Sequence, residues 1–213
     1  MKRLVDLTHW NRRAHFELFR IYDHPWFNVT VPVEVGSVVR WCREGGHSFF
    51  AACLYCSTRA ANRLPEFRYR IEADEVVEYD VVHPGCTVLR PDDTFAFAYF
   101  EYHEPFSAFA AEVAQGTQRV SRSSGLDPRV DRNDLIHHSV LPWIAFSSFQ
   151  HARRRDAEES VPKIVFGKHF KSGGARHLPV SVEVHHALMD GIHVGRFYDA
   201  LNNELQSLPE TAS

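Results

Sequence analysis

Val180-Ser181-Val182-Glu183-Val184-His185-His186-Ala187-Leu188-Met189-Asp190-Gly191 reads as a strand that runs into two histidines, a turn and then a helix. The alternation puts Val180, Val182 and Val184 on one face of a strand from Leu178 to His185. Beyond the turn, Val194, Phe197, Leu201 and Leu205 recur every three or four residues, the apolar stripe of an amphipathic helix. A histidine at the end of a strand, on a short connection, is held by backbone geometry. With a pKa of about 6.5, an imidazole there can take a proton from a hydroxyl at neutral pH without a metal or a covalent intermediate. Asp190, four residues past His186, could orient that ring or pin the loop through an ion pair with a distant basic residue. A buried, hydrogen-bonded structural histidine fits the same pattern.

Upstream, helix and strand signals alternate. Helical patterns cover His9 to Ile21, Gly36 to Glu44, His47 to Arg63 and Phe106 to Val120; the third carries a small-residue face of Ala51, Ala52, Ala60 and Ala61. Strand patterns cover Asn28 to Val35, Phe67 to Ala73, Val76 to Val82, Thr94 to Tyr102, Leu135 to Phe149 and Lys163 to Phe170, with turns at Asp74-Glu75 and Pro91-Asp92-Asp93. This order predicts α/β architecture: a two-layer sandwich with a mixed β-sheet, a single domain over residues 1–213. The run Arg153-Arg154-Arg155, followed by Asp156, Glu158 and Glu159, reads as a solvated turn.

The composition excludes several classes. The 213 residues are 44% hydrophobic and 24% charged, ordinary for a globular chain. The formal charge of −3 gives no reason to expect nucleic acid or an anionic membrane as partner. No apolar run approaches the roughly 18 residues of a membrane span, and the Met1-Lys2-Arg3-Leu4-Val5-Asp6 start shows no secretory signal, so a cytoplasmic location is expected. Cys42, Cys53, Cys56 and Cys86 are too few for a disulfide framework. Cys53 and Cys56 form a C-x-x-C inside an apolar helix without a second pair, which predicts packed core thiols. Neither His185 nor His186 stands beside a further ligand at a recognised spacing, so no metal is expected. Fourteen histidines and an aromatic content of 13% point to a core or pocket built from flat rings.

Three blocks together carry a family resemblance: Trp10-Asn11-Arg12-Arg13-Ala14-His15-Phe16-Glu17-Leu18-Phe19, Ser139-Val140-Leu141-Pro142-Trp143-Ile144-Ala145-Phe146, and the His185 to Gly191 segment. In that order, across nearly the whole chain, they resemble the chloramphenicol acetyltransferase family. The resemblance implies a homotrimer with active sites at subunit interfaces, and transfer of acetyl from acetyl-CoA to a hydroxyl of chloramphenicol or a similar small molecule. It implies that His186 is the general base and that the Ser139 hydroxyl stabilises the oxyanion. Asp190 and Arg12 match a salt bridge that holds the active-site loop, with His185 in support. Trp26, Phe95, Phe97 and Trp143 are candidates to line the acceptor pocket.

Several positions depart from the family pattern. Phe19 replaces a tyrosine whose hydroxyl helps to hold the antibiotic, and Val165 a threonine that binds a water near the tetrahedral intermediate. Ser48 replaces a lysine near the 3′-phosphate of CoA, and His169 a tyrosine beside the adenine, while the adjacent Lys168 is retained. The machinery for the hydroxyl proton is thus present while the contacts that hold substrate differ. Two alternatives stay open: the same acyl transfer to another hydroxyl or thiol, and a non-catalytic small-molecule-binding homologue.

Overall fold

The alternating valines of the quoted segment lie in a large sheet, one strand in from its edge. In the computed structural model, which describes residues 1–129, 132–153 and 159–211, they lie in β10 (Ala175–His185). In chain order the elements before it are β1 (Lys2–Leu4), α1 (Arg13–Phe19), β2 (Trp26–Glu34), α2 (Gly36–Gly45), α3 (Phe49–Asn62), α4 (Pro65–Arg68), β3 (Tyr69–Glu72) and β4 (Glu75–Tyr79). They continue with β5 (His83–Leu89), β6 (Phe95–Tyr99), α5 (Phe106–Ser121), β7 (Leu135–Val140), β8 (Lys163–Phe166) and β9 (Phe170–Ser172). The last element is α6 (Gly191–Thr211).

The main sheet has the order β2-β10-β8-β7-β5-β6, with β9 also paired to β10. β7 runs parallel to β5 and β8, and the other pairs are antiparallel, so the sheet is mixed as expected. Helices α2, α3, α5 and α6 cover one face. There Val180, Val182 and Val184 meet Leu54, Phe197 and Leu201 in one buried cluster. Because side chains alternate, Ser181, Glu183 and His185 point to the opposite face. The four cysteines are buried and unpaired, and burial raises the pKa of Cys42 to about 11.

A second, three-stranded sheet, β1-β4-β3, lies beside the first. Its β3–β4 hairpin turns through Ala73 and Asp74, both left-handed (φ 47° and 69°), as a two-residue hairpin loop of this hand requires. This sheet and α1 share a small core in which Phe16 and Val76 pack with Ala187 and Leu188, tying the α1 helix to the turn that carries His186.

Several element boundaries differ from the sequence reading. Strand β7 stops at Val140, before Pro142, so Leu141 to Phe149 is not strand. The His9 to Ile21 helix shrinks to Arg13–Phe19, and Phe67 belongs to a short helical turn begun by Pro65. Strand β5 is additional, as are β1 and β9. Arg153 is not solvated: its guanidinium binds Glu183 and lies 3.2 Å from the Trp26 ring centroid. The rest of that run, Arg154 and Arg155 with Asp156 and Glu158, lies outside the described residues.

Candidate active site

The turn after β10 is fixed from both sides. The backbone N–H of His186 donates to Pro25 O at 2.7 Å, and His185 O accepts from the N–H groups of Leu188 and Met189. Arg12, nearly buried just before α1, donates from Nη2 to His186 O at 3.2 Å and grips Asp190 with both Nη1 and Nη2. The Asp190 carboxylate lies immediately before α6. Burial would raise its pKa, but hydrogen bonding to Arg12 and the Arg12 charge outweigh that and hold it below the ordinary carboxylate value.

The His186 ring is fixed as well. It stacks on Phe19 with centroids 3.8 Å apart and planes 10° from parallel, and Phe27 leans against it at 4.8 Å. Its Nδ1 lies 3.1 Å from Asp190 Oδ1, close enough for strong electrostatic contact although not aligned as a hydrogen bond. About a third (34%) of the side-chain surface remains exposed. Asp190 faces Arg12 and His186 at once. His185 turns the other way: it is buried, packs edge-on to Trp26, and its Nδ1 accepts from Ala187 N–H. Burial, then the charges of Arg153 and His186, lower its pKa to about 4, so it is neutral at pH 7.

Ser139 lies elsewhere in the same chain. It pairs with Val165 on β8, which pairs with Ser181 on β10, on the face away from the helices. His186 is five positions beyond Ser181. The two residues are therefore separated by roughly 17 Å along the strands and about 10 Å across them. Ser139 lines a cavity of about 550 Å³ together with Phe95, Phe97, Trp143 and Phe149. Trp143 is 62% exposed at its rim, whereas Val165 is fully buried. Trp26 belongs to a smaller hollow with Phe27, Phe149 and Glu183.

A third hollow, of about 310 Å³, brings Lys168 and His169 together with Phe49 and Phe50. His169 meets Phe49 edge-on, and its Nδ1 accepts from Arg176. Ser48 sits beside this hollow but is committed to structure, its Oγ capping α3 by accepting from Ala51 N–H at 3.2 Å.

The sequence reading missed a charged cluster on the face away from the helices. Glu183, buried, is held by His151 at 2.8 Å and Arg153 at 2.6 Å, and Glu159 lies 3.1 Å from Lys163 and 3.4 Å from Arg153. A lone glutamate among the valines of β10 was the signal for it, because a carboxylate buried in a strand needs partners.

A mixed sheet backed by helices on one face, with a histidine turn after its longest strand, defines the CoA-dependent acyltransferase fold. A solved dihydrolipoamide acetyltransferase of Azotobacter vinelandii has a similar fold, with a TM-score of 0.70 at 16% identity, covering 92% of this chain and 87% of that one. A solved chloramphenicol acetyltransferase matches more closely, with a TM-score of 0.90 and 29% identity over 96% of this chain and all of that one. The family model described as chloramphenicol acetyltransferase matches residues 2–206. A chloramphenicol acetyltransferase of Escherichia coli is 30% identical over 203 residues, 95% of this chain and 91% of its own length. One of Clostridium perfringens is 30% identical over 208 residues, 96% of this chain and 93% of its own. The chain belongs to the chloramphenicol acetyltransferase family and is an acyltransferase. Among the described residues no helix is long and apolar enough to cross a membrane.

Proposed function

We propose that this protein transfers the acetyl group of acetyl-CoA to a hydroxyl of chloramphenicol or a similar small molecule, within a ternary complex. The observation that carries the reading is the held, partly exposed His186 ring. With Nδ1 facing the Asp190 carboxylate, the proton is favoured on that nitrogen and Nε2 is left as the base. His186 Nε2 takes the acceptor's hydroxyl proton, and the alkoxide oxygen attacks the thioester carbonyl. Ser139 Oγ–H donates to the resulting oxyanion. Collapse of the intermediate breaks the C–S bond, and the departing CoA thiolate recovers the proton from the imidazolium.

The separation between His186 and Ser139 within one chain supports a site assembled from two copies, as in a homotrimer with active sites at its subunit interfaces. Lys168 and His169, sharing a hollow with two phenylalanines, support that hollow as the place where CoA binds. Release of CoA thiol on mixing with acetyl-CoA and chloramphenicol tests the whole reading. His186→Ala should lower turnover by about 10²–10⁴. An unchanged rate in that variant overturns the base assignment, and no release above background from folded wild-type protein overturns the antibiotic as acceptor. A second reading keeps the chemistry with a different acceptor. It is favoured by Phe19, which has no hydroxyl to offer a bound molecule and whose ring is engaged with His186.

A further inference from the structure

The β9–β10 hairpin sets two positive side chains face to face. Its two-residue loop, Gly173-Gly174, has positive φ at both positions (57° and 83°), as a tight hairpin turn requires, and this fixes the register. Lys171 therefore stands directly opposite Arg176, and paired residues share one side of the two strands. Like charges so placed repel each other. Among the described residues no carboxylate lies in ion-pair contact with either of them, or with the nearby Lys168. Glu34 is in register with His177, one residue on from Arg176, and so belongs to the other side of β10.

The pair adjoins the hollow of about 310 Å³ that holds Phe49, Phe50, Lys168 and His169. Arg176 alternates with Leu178, which also lines that hollow, so its side chain leaves β10 on the hollow's side. One guanidinium N–H, on Nη1, donates to His169 Nδ1 at 3.0 Å, an acceptor that exists only in the neutral ring. The remaining side-chain N–H groups of Arg176 have no partner among the described residues. Lys171 is exposed and Arg176 half-buried, so a ligand can reach both from solvent. Arg176 also lies five residues before Ser181, which shares a row with Val165 and Ser139. The hairpin is therefore roughly 17 Å along the strands from the Ser139 row.

We infer that Lys171 and Arg176 bind the 3′-phosphate of CoA, an assignment that rests on the reading of CoA as the acyl donor in this hollow. A phosphate monoester carries close to two negative charges at neutral pH and three acceptor oxygens, which match one ammonium and one guanidinium. The phosphates of the diphosphate bridge are each singly charged and lie nearer the thioester. The 3′-phosphate stands at the end of CoA remote from the reacting carbon, as the hairpin stands remote from Ser139. Its arrival turns a repelling pair of cations into two charge-assisted contacts.

The test is calorimetric titration at pH 7 and low salt with CoA and with 3′-dephospho-CoA. Wild type should bind CoA at least about tenfold more tightly, as hydrogen bonds between charged groups require. The Lys171→Gln, Arg176→Gln double variant should bind the two compounds within about twofold of each other, while Lys171→Arg should keep the preference. If thermal melting shows that the double variant does not fold, Lys171→Gln, a change at an exposed side chain, should lower the preference at least about threefold. Equal affinity of wild type for the two compounds, no binding of CoA, or an undiminished preference in a folded glutamine variant overturns the assignment. Thiol release from acetyl-CoA with chloramphenicol is measured separately. Release without any preference for the 3′-phosphate sinks the Lys171–Arg176 site and leaves the acetyl-transfer reading standing. A preference that depends on the pair, without release, does the reverse.

Discussion

Phe19 lies flat on His186, at 3.8 Å and within 10° of parallel, although 167 positions separate the two residues in the chain. The contact joins α1 to the turn after β10 and fixes the plane of the imidazole. An aromatic pair of this kind is worth about 0.5–1.5 kcal/mol beyond its buried area. Phe19→Ala should therefore lower kcat by up to roughly tenfold, as the ring spends less time in its productive orientation. The KM for acetyl-CoA should stay within about twofold, since Phe19 does not line the hollow proposed for CoA. Steady-state thiol-release kinetics check this, and Phe19→Tyr, which retains the ring, should recover the rate.

The histidine turn was legible because it combines a period-two valine run, an amphipathic helix and a short polar connection. The Phe19 stack was not, because it joins segments from opposite ends of the chain. Strand β5 escaped notice for a local reason: Pro84 and Gly85 interrupt its pattern, yet Pro84 O still accepts from Phe100 N–H and Gly85 pairs with Tyr99 and His137. Gly85 leaves room for the Tyr99 ring, which a Cβ there would approach to 3.1 Å. Ser139 and Arg12 were read from family motifs, which give identity without distance. Only strand register shows that Ser139 and His186 are far apart in one chain.

The Arg12–Asp190 pair should matter for stability as well as for placing the turn. Arg12 is almost fully buried, whereas Asp190 keeps 30% of its side-chain surface. Removing one partner of a fully buried pair costs about 3–5 kcal/mol, and exposure of Asp190 reduces this to roughly 2–3. Asp190→Asn should lower the free energy of unfolding by that amount in urea titration. The Arg12→Ala, Asp190→Asn double variant should cost less than the two single changes added together. Full additivity means that the two side chains do not stabilise the turn as a pair.

Glu183 predicts a loss of stability in acid. Burial alone would raise its pKa, but the His151 hydrogen bond and the Arg153 charge bring it from the ordinary 4.5 down to about 2. A carboxylate with a lowered folded-state pKa stabilises the protein fully above its unfolded value and loses that contribution as pH falls through the folded one. The window is therefore between about pH 4.5 and pH 2, with an amplitude of roughly 3 kcal/mol. Unfolding free energies measured across this range should fall more steeply for wild type than for Glu183→Gln. The variant itself should be less stable at pH 7, because Arg153 loses a charged partner.

If one active site takes His186 from one copy and Ser139 from the next, two defective variants should repair each other. Ser139→Ala alone should lower turnover by about 10²–10³ through the missing oxyanion donor, and His186→Ala by more. In a closed trimer each interface draws the histidine from one subunit and the serine from its neighbour. When the two variants are mixed in equal amounts, unfolded and reassembled together, about a quarter of the interfaces combine an intact His186 with an intact Ser139. Activity should then rise to roughly a quarter of wild type, far above either variant alone. Mixing the folded variants without exchange of subunits should give no rise. If co-assembled protein shows only the average of the two defective activities, the residues do not meet across an interface. The separation set by the β7, β8 and β10 register then removes Ser139 from the reaction altogether.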